Sequence, residues 1–432
     1  MMRITIVSWG SDGDVLPYIA LALGLKRAGH QVQLATLAEY QEVVTNFGVE
    51  CIPMRWNFPS PTWLEKIFKF RRPLTTINLG YQQLKNGLLD ELWRVCQEAE
   101  AIIFNPFSYP CFYIAEKLGI PCYAASVQAY HHTRVFPNAW VTNGKPLGSI
   151  YNWLSYTYFN QVHWQFMRGP INQWRQKILN LPSLPVWEGV MPQIQRQKTP
   201  ILYCYSSSFL PKPSEWKDDN IHITGYWFLD THDNWQAPTD LINFLSVGSP
   251  PIYISKLWNS KKLGRKILLK VLETTGQRLI VQCLDDDYLD DPSLKDKLFY
   301  IKGFIPHKWL FTKVAAVVHH GGGGATMSCL RAGVPSIAIP VQGDNDDLFW
   351  TLQVGQSGLG IPLILQRKQL LNEELPVEDL AAAIQVAISD QAMHTRLAEM
   401  SKRIQAEDGV MHAVEAFHRH LPVSKKSELS TF

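Results

Sequence analysis

Residues 3–36 read RITIVSWGSDGDVLPYIALALGLKRAGHQVQLAT, and this stretch decides the fold. Arg3 to Ser8 is a short apolar run with β-branched residues, which predicts a strand. A glycine-rich turn follows from Gly10 to Asp14. Ile19, Leu21, Ala22, Leu23 and Leu25 supply the apolar residues of a helix. Pro17 is expected in its first turn, where a missing N–H costs nothing. Ala28-Gly29 closes that helix with a glycine, and Gln31 to Thr36 forms the next strand. Strand, glycine turn, helix and strand in this order predict a parallel, doubly wound α/β sheet.

The same rhythm recurs further on. Ala101 to Phe104 reads as a strand, Tyr113 to Leu118 as a helix and Cys122 to Ser126 as another strand. Pro200 to Trp235 is rich in Pro, Ser, Trp and polar residues and reads as a connection. Beyond it, Pro251–Ser255, Arg278–Gln282, Phe299–Lys302, Ala315–Val318 and Ser336–Pro340 are strand candidates. The expected division is an N-terminal domain over 1–205, a linker over 206–235, a C-terminal domain over 236–420 and a polar tail over 421–432. Both domains are of the α/β class, and in such sheets ligands belong at the carboxyl ends of the strands.

Composition narrows the function classes. Of 432 residues, 46% are hydrophobic, enough for full cores, and 41 Lys and Arg against 38 Asp and Glu give a formal charge of +3. That balance excludes a dedicated nucleic-acid binder and supplies no polybasic anchor. None of the seven cysteines forms a C-x-x-C pair, which argues against a zinc site or a disulfide framework. The opening MMRITIVSWGSDGD has no apolar leader, and no run approaches the ~18 apolar residues of a membrane span. The expectation is a cytoplasmic, soluble chain that can still rest on a membrane surface.

Chemistry concentrates in AAVVHHGGGGAT, residues 315–326. Four glycines between a strand and a helix let backbone N–H groups approach an anion at a helix N-terminus, the usual way to hold a diphosphate. The alternative is a glycine turn that only packs strand against helix. This run, with GFIPH before it (303–307) and PVQGDN after it (340–345), resembles the nucleotide-sugar signature of family-one glycosyltransferases, in the branch of sterol and glycopeptide-antibiotic glycosyltransferases. Further similar stretches are GSDGDVLPYIALALGLKRAGH (10–30), INQWRQKILNLPSLP (171–185), ILYCYSSSFLPKPSEW (201–216) and HITGYWFLD (222–230).

The resemblance implies a GT-B fold: two Rossmann-like domains, with the donor on the C-terminal one and the acceptor on the N-terminal one. It implies an inverting, metal-independent transfer of a hexose from a UDP- or dTDP-sugar to a hydroxyl of an apolar, sterol-, lipid- or polyketide-like acceptor. No resident cofactor is expected. Carried over by position, Phe304 stacks on the base, and the backbone near Ile305 and His307 meets its edge. His320 and the backbone of Gly322, Gly323 and Gly324 bind the diphosphate. Ala325 stands where a hydroxyl residue is usual, with Thr326 one step on, and Asp344 and Asn345 read the sugar hydroxyls. The branch's Gly-Asp-x-x-Pro turn falls on Gly13 to Pro17, which makes Asp14 the catalytic base. A carboxylate at a strand-to-helix turn can take the acceptor proton, although an Asp there also suits a helix N-terminus. Asn105 occupies the place where plant relatives carry an Asp, so no dyad is expected, and Asn105 is a candidate acceptor contact. Asp12 reads as a solvated turn residue.

Two departures bear on the donor. Ser255-Lys256-Leu257-Trp258 replaces the usual Gly-x-Gly-Ser loop, with Lys256 offering a compensating charge to the phosphates. Asp285-Asp286-Asp287 could suggest Mg²⁺ but reads as a solvated acidic loop. A catalytically impaired nucleotide- or partner-binding relative and a nucleotide-sugar epimerase remain as rival readings. Finally, Tyr151 to Trp174 is dense in aromatics. The choice there lies between helix-packing core and an apolar acceptor wall carrying Trp153, Tyr158 and Trp164, continuing to a peripheral membrane contact.

Overall fold

The computed structural model describes residues 1–55, 87–141, 147–230, 235–255, 261–283, 292–303, 305–340, 345–365 and 377–422. The chain forms two compact units. Among the described residues, those up to 229 and those from 407 on form one, and those from 230 to 406 form the other.

The first unit is built on seven strands: β1 (Arg3–Val7), β2 (Gln31–Leu37), β3 (Glu50–Met54), β4 (Ala101–Phe104), β5 (Cys122–Ser126), β6 (Ile201–Tyr203) and β7 (Ile221–Ile223). Their order is β3-β2-β1-β4-β5-β6-β7, and the pairings are parallel. β1 beyond Arg3, and β4, are buried on both faces because helices cover both sides of a parallel sheet. The order reverses between β1 and β4, and such a switch point opens a crevice beyond the strand ends.

The first helix runs Asp12–Arg27, so Pro17 lies in its second turn and not in the first as expected. Pro17 has no N–H to give the carbonyl of Gly13. Two of the strands fall inside the stretch read as a connection. Three-residue strands such as Ile201-Leu202-Tyr203 are too short to display an alternation, and only their neighbours define them. The last helix, Gly409–Arg419, groups with this first unit and not with the residues before it. It lies so close to the first helix that a Cβ on Gly24 would stand 2.3 Å from Val410 Cγ1. Tyr123 Oη also donates to the carbonyl of Phe417 at 2.9 Å.

The second unit carries β8 (Ile252–Ile254), β9 (Leu279–Cys283), β10 (Leu298–Lys302), β11 (Ala316–His319), β12 (Ser336–Ala338) and β13 (Gly360–Pro362). The order is β10-β9-β8-β11-β12-β13, again parallel, with its switch point between β8 and β11. Alternation sorts its side chains into two cores. Ile252, Ile254 and Val318 pack on one face, and Tyr253 and Val317 pack with Leu310 and Phe311 on the other. Both units are therefore doubly wound α/β, as the strand–turn–helix rhythm predicts. Among the described residues, no helix is long and apolar enough to cross a membrane.

Candidate active site

In the first unit the switch point holds the turn that carries Asp14. β1 ends at Val7, and Ser8, Trp9 and Gly10 lead into the helix. Gly10 has φ +138°, and a Cβ there would stand 2.4 Å from Asp14 Oδ2, so only glycine lets the carboxylate fold back. Oδ2 then accepts from the Ser11 backbone N–H at 2.8 Å and from Ser11 Oγ at 2.9 Å, while Ser8 Oγ donates to the Asp14 carbonyl. Asp14 is thus at once the acid of the helix's first turn and a carboxylate fixed at the end of β1. Asp12, expected to be merely solvated, accepts from Tyr40 Oη at 2.9 Å, which pins the outer side of the turn.

Asn105 sits at the end of β4, beside β1. Its Nδ2 donates to the Trp9 carbonyl at 2.9 Å and its Oδ1 accepts from Ser108 N–H at 3.0 Å. Buried and bonded at both ends of its amide, Asn105 ties the two strand ends together, and it does not present a group to an acceptor.

The dense aromatic segment is one 29-residue helix, Ser149–Lys177, and its three acceptor candidates differ in their surroundings. Trp164 is 1% exposed and donates Nε1 to the Pro185 carbonyl at 3.0 Å, so it is core and not a wall residue. Trp153 is 39% exposed, beside the His132 ring (4.9 Å) and under the Arg134 guanidinium (5.5 Å). Tyr158 is 54% exposed.

A different set of rings starts at the Asp14 turn. Trp9 lies 5.3 Å from Phe107, Phe107 5.8 Å from Trp140, and Trp140 stacks on Phe159 at 6.3 Å. Phe159 continues to His163 at 5.9 Å, and His163 to Tyr109 at 5.2 Å. Burial holds the His163 imidazole down to about 4, so it is neutral at pH 7. Sequence reasoning misses Trp9, Phe107, Tyr109 and Trp140 because they come from three separate loops. Their one linear signal is that Trp9 adjoins the glycine turn.

In the second unit, β11 delivers the two histidines to its switch point. His319 is buried, its Nδ1 accepts from the Gly321 N–H at 3.1 Å, and burial pushes its imidazole down to about 3. His320 is also lowered by burial, and it is a neutral hydrogen-bonding group at pH 7. The glycines are needed for space. A Cβ on Gly321 (φ +97°) would meet Thr351 Oγ1 at 2.4 Å, on Gly322 His320 Nε2 at 2.5 Å, and on Gly323 Trp350 Nε1 at 2.8 Å.

Gly322 caps the helix Gly323–Ala332 in an extended conformation, leaving His320 and the first N–H groups of the helix together. Ala325 is half-buried. The Thr326 hydroxyl is buried and, among the described residues, meets no hydrogen-bond partner, so it does not reach out as a hydroxyl at the position before it would. Ser328 Oγ donates to the Gly324 carbonyl at 2.8 Å, and His307 Nδ1 meets that hydroxyl at 3.3 Å. His307 stacks on Phe311 at 4.3 Å, and burial with His320 nearby takes it down to about 4. The Ile305 side chain belongs to the core, which leaves its backbone for any ligand. Phe304, Lys256, the 257–258 pair, Asp344, the side chain of Asn345 and the 285–287 loop lie outside the described residues.

Known proteins share this arrangement. Residues 4–137 match the glycosyltransferase family 28 N-terminal domain, and 268–413 match the erythromycin biosynthesis protein CIII-like C-terminal domain. A sterol 3-beta-glucosyltransferase of Aspergillus oryzae is 33% identical over 98% of the chain, and one of Neurospora crassa 32% over 98%. The chain spans 30% and 28% of those two relatives, less than a third of their length. Among solved structures, the glycosyltransferase of kitacinnamycin superposes with TM-score 0.70 at 18% identity, covering 98% of this chain and 99% of that one. The Streptomyces sp. SF2575 glycosyltransferase SsfS6, complexed with thymidine diphosphate, gives 0.59 at 16%, covering 97% and 100%. With a family model on each unit, similarity along nearly the whole chain and two doubly wound units in common, the chain belongs to the family-one glycosyltransferases of GT-B fold.

Proposed function

We propose that the chain transfers a hexose, with inversion and without a metal, from a UDP- or dTDP-sugar to the hydroxyl of an apolar, ring-containing acceptor. The observation that carries this reading is the glycine turn at 321–324. Three positions where a side chain would collide with His320, Thr351 or Trp350 bring an imidazole and a helix N-terminus to one point. That is a place for a diphosphate, and its N–H groups stabilise the charge that grows as the sugar leaves. The scheme needs no second acid beside the base. The Asp14 carboxylate, oriented by Ser11, takes the proton as the acceptor oxygen attacks the anomeric carbon.

The ring series from Trp9 to His163 favours a flat apolar acceptor, since rings stack on rings and leave its hydroxyl to the Asp14 turn. The sterol 3-beta-glucosyltransferases and the thymidine diphosphate complex among the relatives agree with both halves of the reading. We place the activity in the cytoplasm, at the surface of a membrane. The test is turnover by the purified chain with UDP- or dTDP-glucose and a sterol. Nucleoside diphosphate release that depends on the sterol, with a β-glycoside by NMR, supports the proposal. Donor binding without any transfer favours the impaired relative.

A further inference from the structure

Ser149 to Met167 contains no Lys, Arg, Asp or Glu, yet this part of the long helix is far from buried. Ile150 is 74% exposed, and Leu154 and Tyr158 follow at intervals of four, so all three lie along one side. Gln161 and Gln165 continue the same line, donating to the carbonyls of Trp187 (3.1 Å) and Val186 (2.8 Å). Those bonds set the exposed Val186 and Trp187, the latter 75% exposed, beside the stripe. From Ile150 to Gln165, at ~1.5 Å per residue, this strip is about 22 Å long.

Charge says what fits it. The chain has 38 acidic residues, but none occurs between Glu116 and Glu188. Those two border acids are themselves paired, with Arg175 and Arg196. The cations of this stretch include Arg134, exposed over Trp153, and Lys177, exposed at the end of the helix. An apolar strip with Trp and Tyr that carries no carboxylate of its own, with Glu188 paired to Arg196, Glu215 held on the Arg134 N–H and cations at its flanks, is the make-up of a helix lying in a lipid headgroup region. Neither a soluble protein partner nor a second copy requires that acid-free composition.

We infer that the first half of helix Ser149–Lys177, with Val186 and Trp187, is the face by which this chain docks on an anionic lipid bilayer. The inference rests on the apolar-acceptor reading for its purpose: Phe159 and His163, on the opposite side of the same helix, carry the ring series that would receive a lipid.

The test uses the full chain and flotation with vesicles of phosphatidylcholine alone or mixed with phosphatidylglycerol. Native protein is expected to float with the mixed vesicles, less so at high salt. The triple variant Ile150→Ser, Leu154→Ser, Trp187→Ser, whose side chains are exposed, should keep its circular dichroism and bind on the order of 100-fold more weakly. Transfer to a detergent-dispersed acceptor should be unchanged in it. Absence of native binding to the mixed vesicles, equal binding by the variant, or a native dimer that the substitutions dissociate would each overturn the inference. A native chain that floats but transfers no sugar counts against the proposed activity and leaves the docking face standing.

Discussion

Replacing Asp14 by Asn separates a catalytic carboxylate from a helix-capping one, because the two roles predict losses in different quantities. As a cap, Asp14 contributes the attraction of a negative charge at a helix N-terminus, about 0.3–1 kcal/mol. It also accepts two hydrogen bonds from Ser11 on Oδ2. An amide oxygen can take that same place, so those bonds weaken without vanishing. The stability cost is then about 1–2 kcal/mol, a fall of a few degrees in melting temperature for a chain of this size. As general base, the same group is worth roughly 10²–10⁴ in kcat, or about 3–5 kcal/mol of transition-state stabilisation.

Donor affinity should hold, since the turn belongs to the first unit and the diphosphate site to the second. Ser11→Ala offers the intermediate case. It keeps the carboxylate and the backbone N–H bond but removes the side-chain one, and a fall of about tenfold in kcat is expected from the looser orientation. The assay is coupled detection of nucleoside diphosphate release, with calorimetric titration of donor and a thermal melt on each variant. If Asp14→Asn turns over at a rate close to that of the native protein, the assignment is refuted and Asp14 is a cap.

Three further outcomes follow from the geometry. His320→Ala should weaken donor binding and slow transfer by about 2–4 kcal/mol in total, measured by titration and initial rates, because it removes a group aimed at growing charge. EDTA should leave the native rate unchanged, and restoration of a lost rate by Mg²⁺ would implicate the 285–287 loop instead. Trp140→Ala should raise KM for a polycyclic acceptor with the fold intact. Trp164→Ala should instead destabilise the protein by about 3–5 kcal/mol, as truncation of a buried Trp does, in a denaturant titration. Acid should also unfold the chain early. Burial holds His131 at about 4 and His319 at about 3, below their ordinary value of 6.5. Below about pH 6.5 the unfolded chain takes up protons that the folded chain refuses, so stability falls as pH drops toward those values. Each group is worth on the order of 3–5 kcal/mol once pH is below both values. A flat stability profile between pH 7 and 4 would contradict this.

The sequence by itself determined the class. A β-branched run, a glycine turn and an apolar helix in 3–36 specify a parallel α/β unit, because each is a local preference and all three agree. It also put Asp14 and His320 on strand-to-helix turns, since such a turn is continuous in sequence and its residues can be read in order. Tertiary structure decided what depends on neighbours remote in the chain. Asn105 reads as a ligand contact from its position alone, whereas its amide joins the ends of β1 and β4. Trp153, Tyr158 and Trp164 look alike along one helix, and only packing against the 182–188 segment separates the buried Trp164 from the exposed pair. The rings of Trp9, Phe107 and Trp140 come together because the strand order reverses between β1 and β4, bringing the loops after distant strands to one edge. Periodicity reports which side of an element is apolar, whereas what that side meets is settled only when the sheet closes around it.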